Sequence, residues 1–183
     1  MKKKKKIKTY KLCISRTFHK THRRARQETH FEEKIQMALR GIKELIDPDN
    51  EDYYTAKLHA IRKNYPLWKH RIDEVNAGLA ELVLYDWRGI PYHSKHRNLF
   101  RFDMDSGIDV QQLEVKSCGQ LNDTIDFTKL LTPVIRVVGG RKIILWHDIA
   151  QNDGLSFNDF RDWFKEYDLS EPLAVIWLIN QRY

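Results

Sequence analysis

Lys57-Leu58-His59-Ala60-Ile61-Arg62 sets an ammonium, an imidazole and a guanidinium close together on an otherwise apolar frame. Far downstream, Asn152-Asp153-Gly154 offers one acid in a tight turn just before a helix. If the two stretches meet, Lys57 and Asp153 form a charge-assisted pair whose pKa values burial can move. A lysine with a lowered pKa acts as a base; an ordinary one neutralises a phosphate. Arg62 adds a rigid fork for phosphate or a base edge, and His59 can titrate near neutrality. Lys57, His59, Arg62, Asn152 and Asp153 are therefore expected to line a polar cleft for a nucleotide or nucleic acid. A partly buried ion network holding strand to turn is the competing reading of the same residues.

Aromatic and cationic residues also alternate elsewhere. Trp87 and Tyr92 flank Arg88, Gly89 and Pro91, and Lys95 and Arg97 follow. Aromatic platforms beside cations hold unstacked bases. Core packing accounts for Trp87 equally well. The loop from Arg16 to Arg24 is polar and cationic, which fits phosphate contact by Arg23 and Arg24. His19, His22 and His30 lack an adjacent carboxylate or cysteine partner, so no metal site is expected. Asp103–Asp109 lacks the spacing and terminal glutamate of an EF-hand loop and reads as an acidic turn. No cofactor is implied.

These residues need a scaffold. The chain has 183 residues, enough for one domain with a real core. Residues 1–27 hold twelve Lys or Arg and no acid, leaving 20 basic against 25 acidic residues and a balance of −5 beyond them. The basic character thus belongs to an N-terminal arm, which attracts phosphates without sequence preference. The reading is a basic tail over 1–7 and a single domain over 8–183. The longest apolar run, Leu173–Ile179, has the length of a strand, so no membrane span is expected. Two cysteines without metal spacing fit reduced thiols and a cytoplasmic protein.

Period-2 alternation predicts a strand over Lys8–Ser15, with Tyr10, Leu12 and Ile14 on one face. Thr29 with Glu32 reads as a capping box opening a helix whose stripe is Phe31, Ile35, Leu39, Ile42 and Ile46, stopped by Asp47-Pro48. Lys63-Asn64-Tyr65-Pro66 reads as a turn into a second helix with apolar positions Leu67, Trp68, Ile72 and Val75, stopped at Gly78. Strands are expected at Leu79–Trp87 and Asn98–Phe102. Val110–Val115 reads as a strand or a short helix. Val134–Val138 and Lys142–Trp146 around Gly139-Gly140 form a hairpin signal. Ser156 with Asp159 caps an aromatic helix, and Leu173–Ile179 is the final strand. The fold class is α+β with a mostly antiparallel, barrel-like sheet flanked by helices.

Lys57 and Arg62, the Gly78–Leu82 strand, and Ile149–Leu155 before the aromatic Phe160–Phe164 helix together resemble the ASCH domain family of the PUA-like superfamily. The resemblance covers most of the chain, with insertions near 46–54 and 88–130. It implies a compact β-barrel flanked by helices and a cleft suited to RNA or nucleotide-like ligands. A branch of that family acts as amidohydrolases on acylated cytidine through a lysine, a threonine and a glutamate. Those positions fall on Lys57, Ala60 and Asp153, so a methyl group replaces the hydroxyl and the acid is shorter.

The expected function is thus an RNA- or nucleotide-binding module. The alternatives are a hydrolase of a modified nucleoside, with Lys57 and Asp153 catalytic, and a protein-interaction module; protein partners are not identified.

Overall fold

The computed structural model describes residues 7–46, 53–117, 131–137 and 139–183. The lysine run, the Asp47–Asp52 turn, Cys118, Gln120–Leu130 and Val138 lie outside the described residues.

The chain is α+β. Its strands are β1 (Lys8–Cys13), β2 (Glu44–Ile46), β3 (Tyr53–Thr55), β4 (His59–Arg62), β5 (Ala80–Trp87), β6 (His96–Phe102), β7 (Asp109–Ser117), β8 (Leu131–Val137), β9 (Gly140–Ile143) and β10 (Leu173–Trp177). The described helices are α1 (Phe31–Leu39), α2 (Tyr65–Asn76), α3 (Trp146–Asn152) and α4 (Phe157–Phe164). Pairing makes a three-stranded sheet in the order β1-β5-β6, a five-stranded sheet in the order β4-β10-β7-β8-β9, and the β2-β3 ribbon. Most pairs are antiparallel, but β1 runs parallel to β5. Among the described residues no strand pairing closes these sheets into a barrel. None of the described helices is long and apolar enough to cross a membrane.

The core lies where the two large sheets and the helices meet. Every residue of β10 is buried, because β4 and β7 cover its two edges and apolar side chains cover both faces. Such a strand reads as a continuous apolar run rather than an alternating one. β1 alternates instead: Leu12 and Ile14 face the core, while Lys11 and Ser15 face solvent.

Local chemistry sets the helix ends. The Asn64 side chain accepts from Leu67 N at 3.1 Å and Pro66 occupies the first turn of α2, where its missing donor costs nothing. Ser156 Oγ likewise accepts from Asp159 N at 3.1 Å to open α4. The expected capping box at Thr29 does not form. Its hydroxyl instead donates to Ser15 O at 2.7 Å, and His30 takes the N-cap position in a left-handed conformation. The first helix also stops seven residues early, at Leu39. Gly41 at φ +74° turns the chain, Ile42 N bonds back to Met37 O, and β2 follows. Glycine makes that left-handed exit without a side-chain clash.

The hairpin around Gly139-Gly140 is present, with Val134 opposite Ile143. Its second strand ends at Ile143, and Trp146 starts α3 rather than closing a strand. Val110–Val115 lies in strand β7.

Candidate functional site

Lys57 and Asp153 meet in the interior. An isolated antiparallel bridge joins them, and Leu58 N donates to Asn152 O at 2.8 Å. Lys57 Nζ donates to Asp153 Oδ1 at 2.7 Å and to Asp153 O at 2.9 Å, and lies 4.2 Å from the Phe31 ring centre. His59 Nε2 is 2.8 Å from Tyr183 Oη, and its Nδ1 faces Asp153 Oδ1 at 3.4 Å. Lys57, His59 and Asp153 are only 3%, 0% and 4% exposed. They form a sealed cluster and not the open cleft the sequence led us to expect. Apolar residues on both sides of the Lys57 bridge carry it inward: Ala56, Leu58, Ala60 and Ile61 are all buried.

The end of α3 explains the placement of the acid. Asp153 is its C-cap, Gly154 has φ +71°, and the bonds Leu155 N to Ala150 O and Gly154 N to Gln151 O close a Schellman turn. A Cβ on Gly154 would sit 3.0 Å from Lys57 Cβ and 3.3 Å from Lys57 Cα. Gly154→Ala is therefore expected to cost about 1–3 kcal/mol, from the strained φ and the clash together. An unchanged urea midpoint in that variant would show that the turn relaxes freely.

Charge states in the cluster follow from burial and neighbours. Burial opposes the Asp153 carboxylate, but Lys57 and His59 outweigh it and hold its pKa below the usual carboxylate range. Burial lowers the pKa of His59 against the pull of Asp153, which favours the neutral ring. Burial raises that of the Tyr183 phenol. Burial lowers the pKa of Lys57 as well, against the pull of Asp153, and the 2.7 Å contact between them favours an ion pair beside a neutral imidazole and a neutral phenol. Lys34 is a neighbour that sequence patterning did not single out. Its Nζ donates to Gly154 O at 2.6 Å, and its pKa is pushed down to about 8, chiefly by burial and then by the charges of Lys57 and Arg24.

Arg62 turns away from this pair. It donates to Ile61 O at 2.7 Å and Cys13 O at 2.5 Å, tying β4 to the end of β1. Ala60, at the threonine position implied by the resemblance, is buried in β4. The side chain of Asn152 is half-buried beside Asp153.

A groove opens elsewhere, with a volume of about 680 Å³. One wall is the 13–22 segment with Arg26; another is the turn that carries Trp87, Pro91 and Tyr92. The third is the end of α4 with Trp163, Glu166 and Tyr167. Lys20, Arg26 and Lys63 line it and are exposed. Trp87 and Tyr92, singled out from the sequence, meet here with ring centres 5.3 Å apart. Tyr92 is 87% exposed and has φ +66°. Gly89 N and Ile90 O both bond Ser94 Oγ, which locks the turn that presents it. A left-handed φ is costly for a side chain of this size, and the turn holds Tyr92 there beside Trp87.

The cationic loop is clamped to α4. Arg23 N donates to Asp162 Oδ2 at 2.8 Å, and Arg23 and Arg24 both pair with Asp159. His22 stacks on Phe18 at 4.4 Å and lies 3.0 Å from Asp159 O through Nε2. Arg23 and Arg24 thus hold the loop, while Lys20 and Arg26 project into the groove. Arg97 pairs with Asp86 at 2.7 Å and Glu32 at 2.6 Å. Arg88 and Lys95 are exposed beside the groove, joined by the Arg88 N to Lys95 O bond.

No match was found among protein-family models, curated proteins or solved structures. The site must therefore be read from its own chemistry.

Lys20 and Arg26 belong to the cationic loop expected from the sequence to meet phosphate, whereas Lys63, Trp163 and Tyr167 carry no such expectation. Trp163 and Tyr167 belong to the aromatic pattern of the last helix, but only Phe160 and Phe164 of that pattern are fully buried. The signal was present as excess: four aromatic residues are more than one short helix needs to bury.

Proposed function

We propose that this protein is an ASCH-like module of the PUA-like superfamily that binds RNA or a nucleotide-like ligand in the groove between Arg26, Tyr92 and Tyr167. One observation carries the reading: exposed cations and half-exposed aromatic rings share the walls of a single open groove. Phosphates need the cations and unstacked bases need the rings. The volume of about 680 Å³ lies within the range of small-ligand sites. In this reading Lys57 and Asp153 anchor α3 against β4 rather than touch ligand, and the open sheets are a variant of the PUA-like barrel. A cytoplasmic setting, where RNA is abundant, belongs to the same proposal.

Fluorescence anisotropy with a labelled single-stranded RNA tests it. Binding is expected at low salt, with log affinity falling by roughly 0.7 per log unit of salt for each phosphate contact. Absence of binding at low salt, by RNA and by mononucleotides alike, would overturn the reading.

A further inference from the structure

The outer face of the three-stranded sheet carries an aromatic row that extends beyond the groove. On β5, Tyr85 and Trp87 lie two residues apart and point to the same side, away from buried Leu84 and Asp86. Strand register brings Cys13 of β1 beside Tyr85 and His96 of β6 beside Trp87. The ring centres then step from Tyr92 to Trp87 at 5.3 Å, from Trp87 to His96 at 6.0 Å and from His96 to Tyr85 at 5.2 Å. Lys11 closes the row, with Nζ 2.7 Å from His96 Nε2 and 5.8 Å from the Tyr85 ring centre. Tyr92 and Trp87 line the groove; Tyr85, His96 and Lys11 do not.

We propose that the ligand path leaves the groove past Trp87 and crosses this sheet face over His96 and Tyr85, so that the partner is a single-stranded nucleic acid of several nucleotides rather than one nucleotide. The inference rests on the nucleotide reading of the groove and adds a second stretch of site to it. Three observations support this occupant. The row is continuous with the groove through Trp87 and Tyr92, two rings serving both. Its rings are half-buried or exposed, so part of each is within reach of a partner. The cations beside it, Lys11 at one end and Arg88 and Lys95 at the turn, are exposed. Side chains two apart on a strand repeat at about 6.6 Å, a spacing that separates bases instead of admitting a stacked duplex. Rings interleaved with cations along a track favour a single strand whose bases stack on the protein. Cross-strand aromatic pairs also stabilise sheets, so the test must read binding separately from stability.

The experiment compares fluorescein-labelled oligouridylates of about two to eight nucleotides, binding to the full chain and to His96→Ala and Lys11→Glu. Both substitutions are at exposed positions, and their thermal midpoints are measured alongside. Affinity is expected to rise about tenfold or more between the dinucleotide and the octamer. Each substitution is expected to weaken the octamer several-fold more than the dinucleotide. Equal affinity at all lengths, or equal weakening of short and long probes, would overturn the extended path while leaving the groove as the nucleotide site. Failure of every length to bind would remove the path and the groove reading together.

Discussion

Asp153→Ala is expected to lower the unfolding free energy by about 3–5 kcal/mol, the effect of stranding one member of a buried ion pair. Lys57, 3% exposed and with a pKa that burial already lowers, would be left with Asp153 O, the Phe31 ring and the buried flank of Ala56 and Leu58 around it. Removing both charges is much milder, because an apolar pair of similar volume avoids desolvation altogether. Lys57→Met with Asp153→Leu should therefore regain most of the lost stability in urea titrations. If the double variant is as unstable as Asp153→Ala, the pair is not the source of the effect. The acid limb of stability gives a second handle. A carboxyl held low in the folded state takes up protons more readily when unfolded, so its contribution is complete above the ordinary aspartate pKa of about 3.9. It is lost as pH falls through the lower folded-state value. Asp153→Asn should flatten this acid limb.

Groove substitutions carry the second large effect, on binding rather than folding. Trp87→Ala should weaken RNA by about 1–3 kcal/mol, the worth of one base–aromatic stack. Reversing Lys20, Arg26 and Lys63 to glutamate should remove roughly three phosphate contacts and flatten the salt dependence by about 2 in the log–log slope. Arg97→Ala is the informative contrast. Its guanidinium is already committed to Asp86 and Glu32, so its loss should reduce the thermal midpoint and leave the salt slope in place. A slope that drops equally for Arg97→Ala and for the triple variant would mean that binding follows net charge rather than the groove.

The cationic loop shows why charge alone misled. Arg23 and Arg24 look like phosphate contacts on paper, yet Asp159, buried at the start of α4, takes both. Nothing in a linear pattern shows that an acid 135 positions away will arrive first. The Thr29 and Glu32 pair misled for a similar reason. The hydroxyl donates to the carbonyl of Ser15 across the loop and accepts only a long 3.4 Å bond from Phe31 N, so it is turned away from Glu32. α3 escaped notice because it is short and follows a strand-like apolar run.

Features with a local cause were legible in the chain. The alternation of β1, the Asn64-Tyr65-Pro66 and Ser156 helix starts, the Gly139-Gly140 hairpin and the apolar run of β10 each depend on residues within one turn or one strand. Their physics is propensity, capping and period. Packing alone decided the rest. It drew Lys57 and Asp153 together and then sealed them, since the flanking residues were apolar enough to take the pair inward. It opened the groove where Trp87, Tyr92, Trp163 and Tyr167, far apart along the chain, kept faces that the core had no room to cover. Whether a charged side chain ends in water or in the interior depends on the surfaces that close over it, and those come from segments distant in sequence.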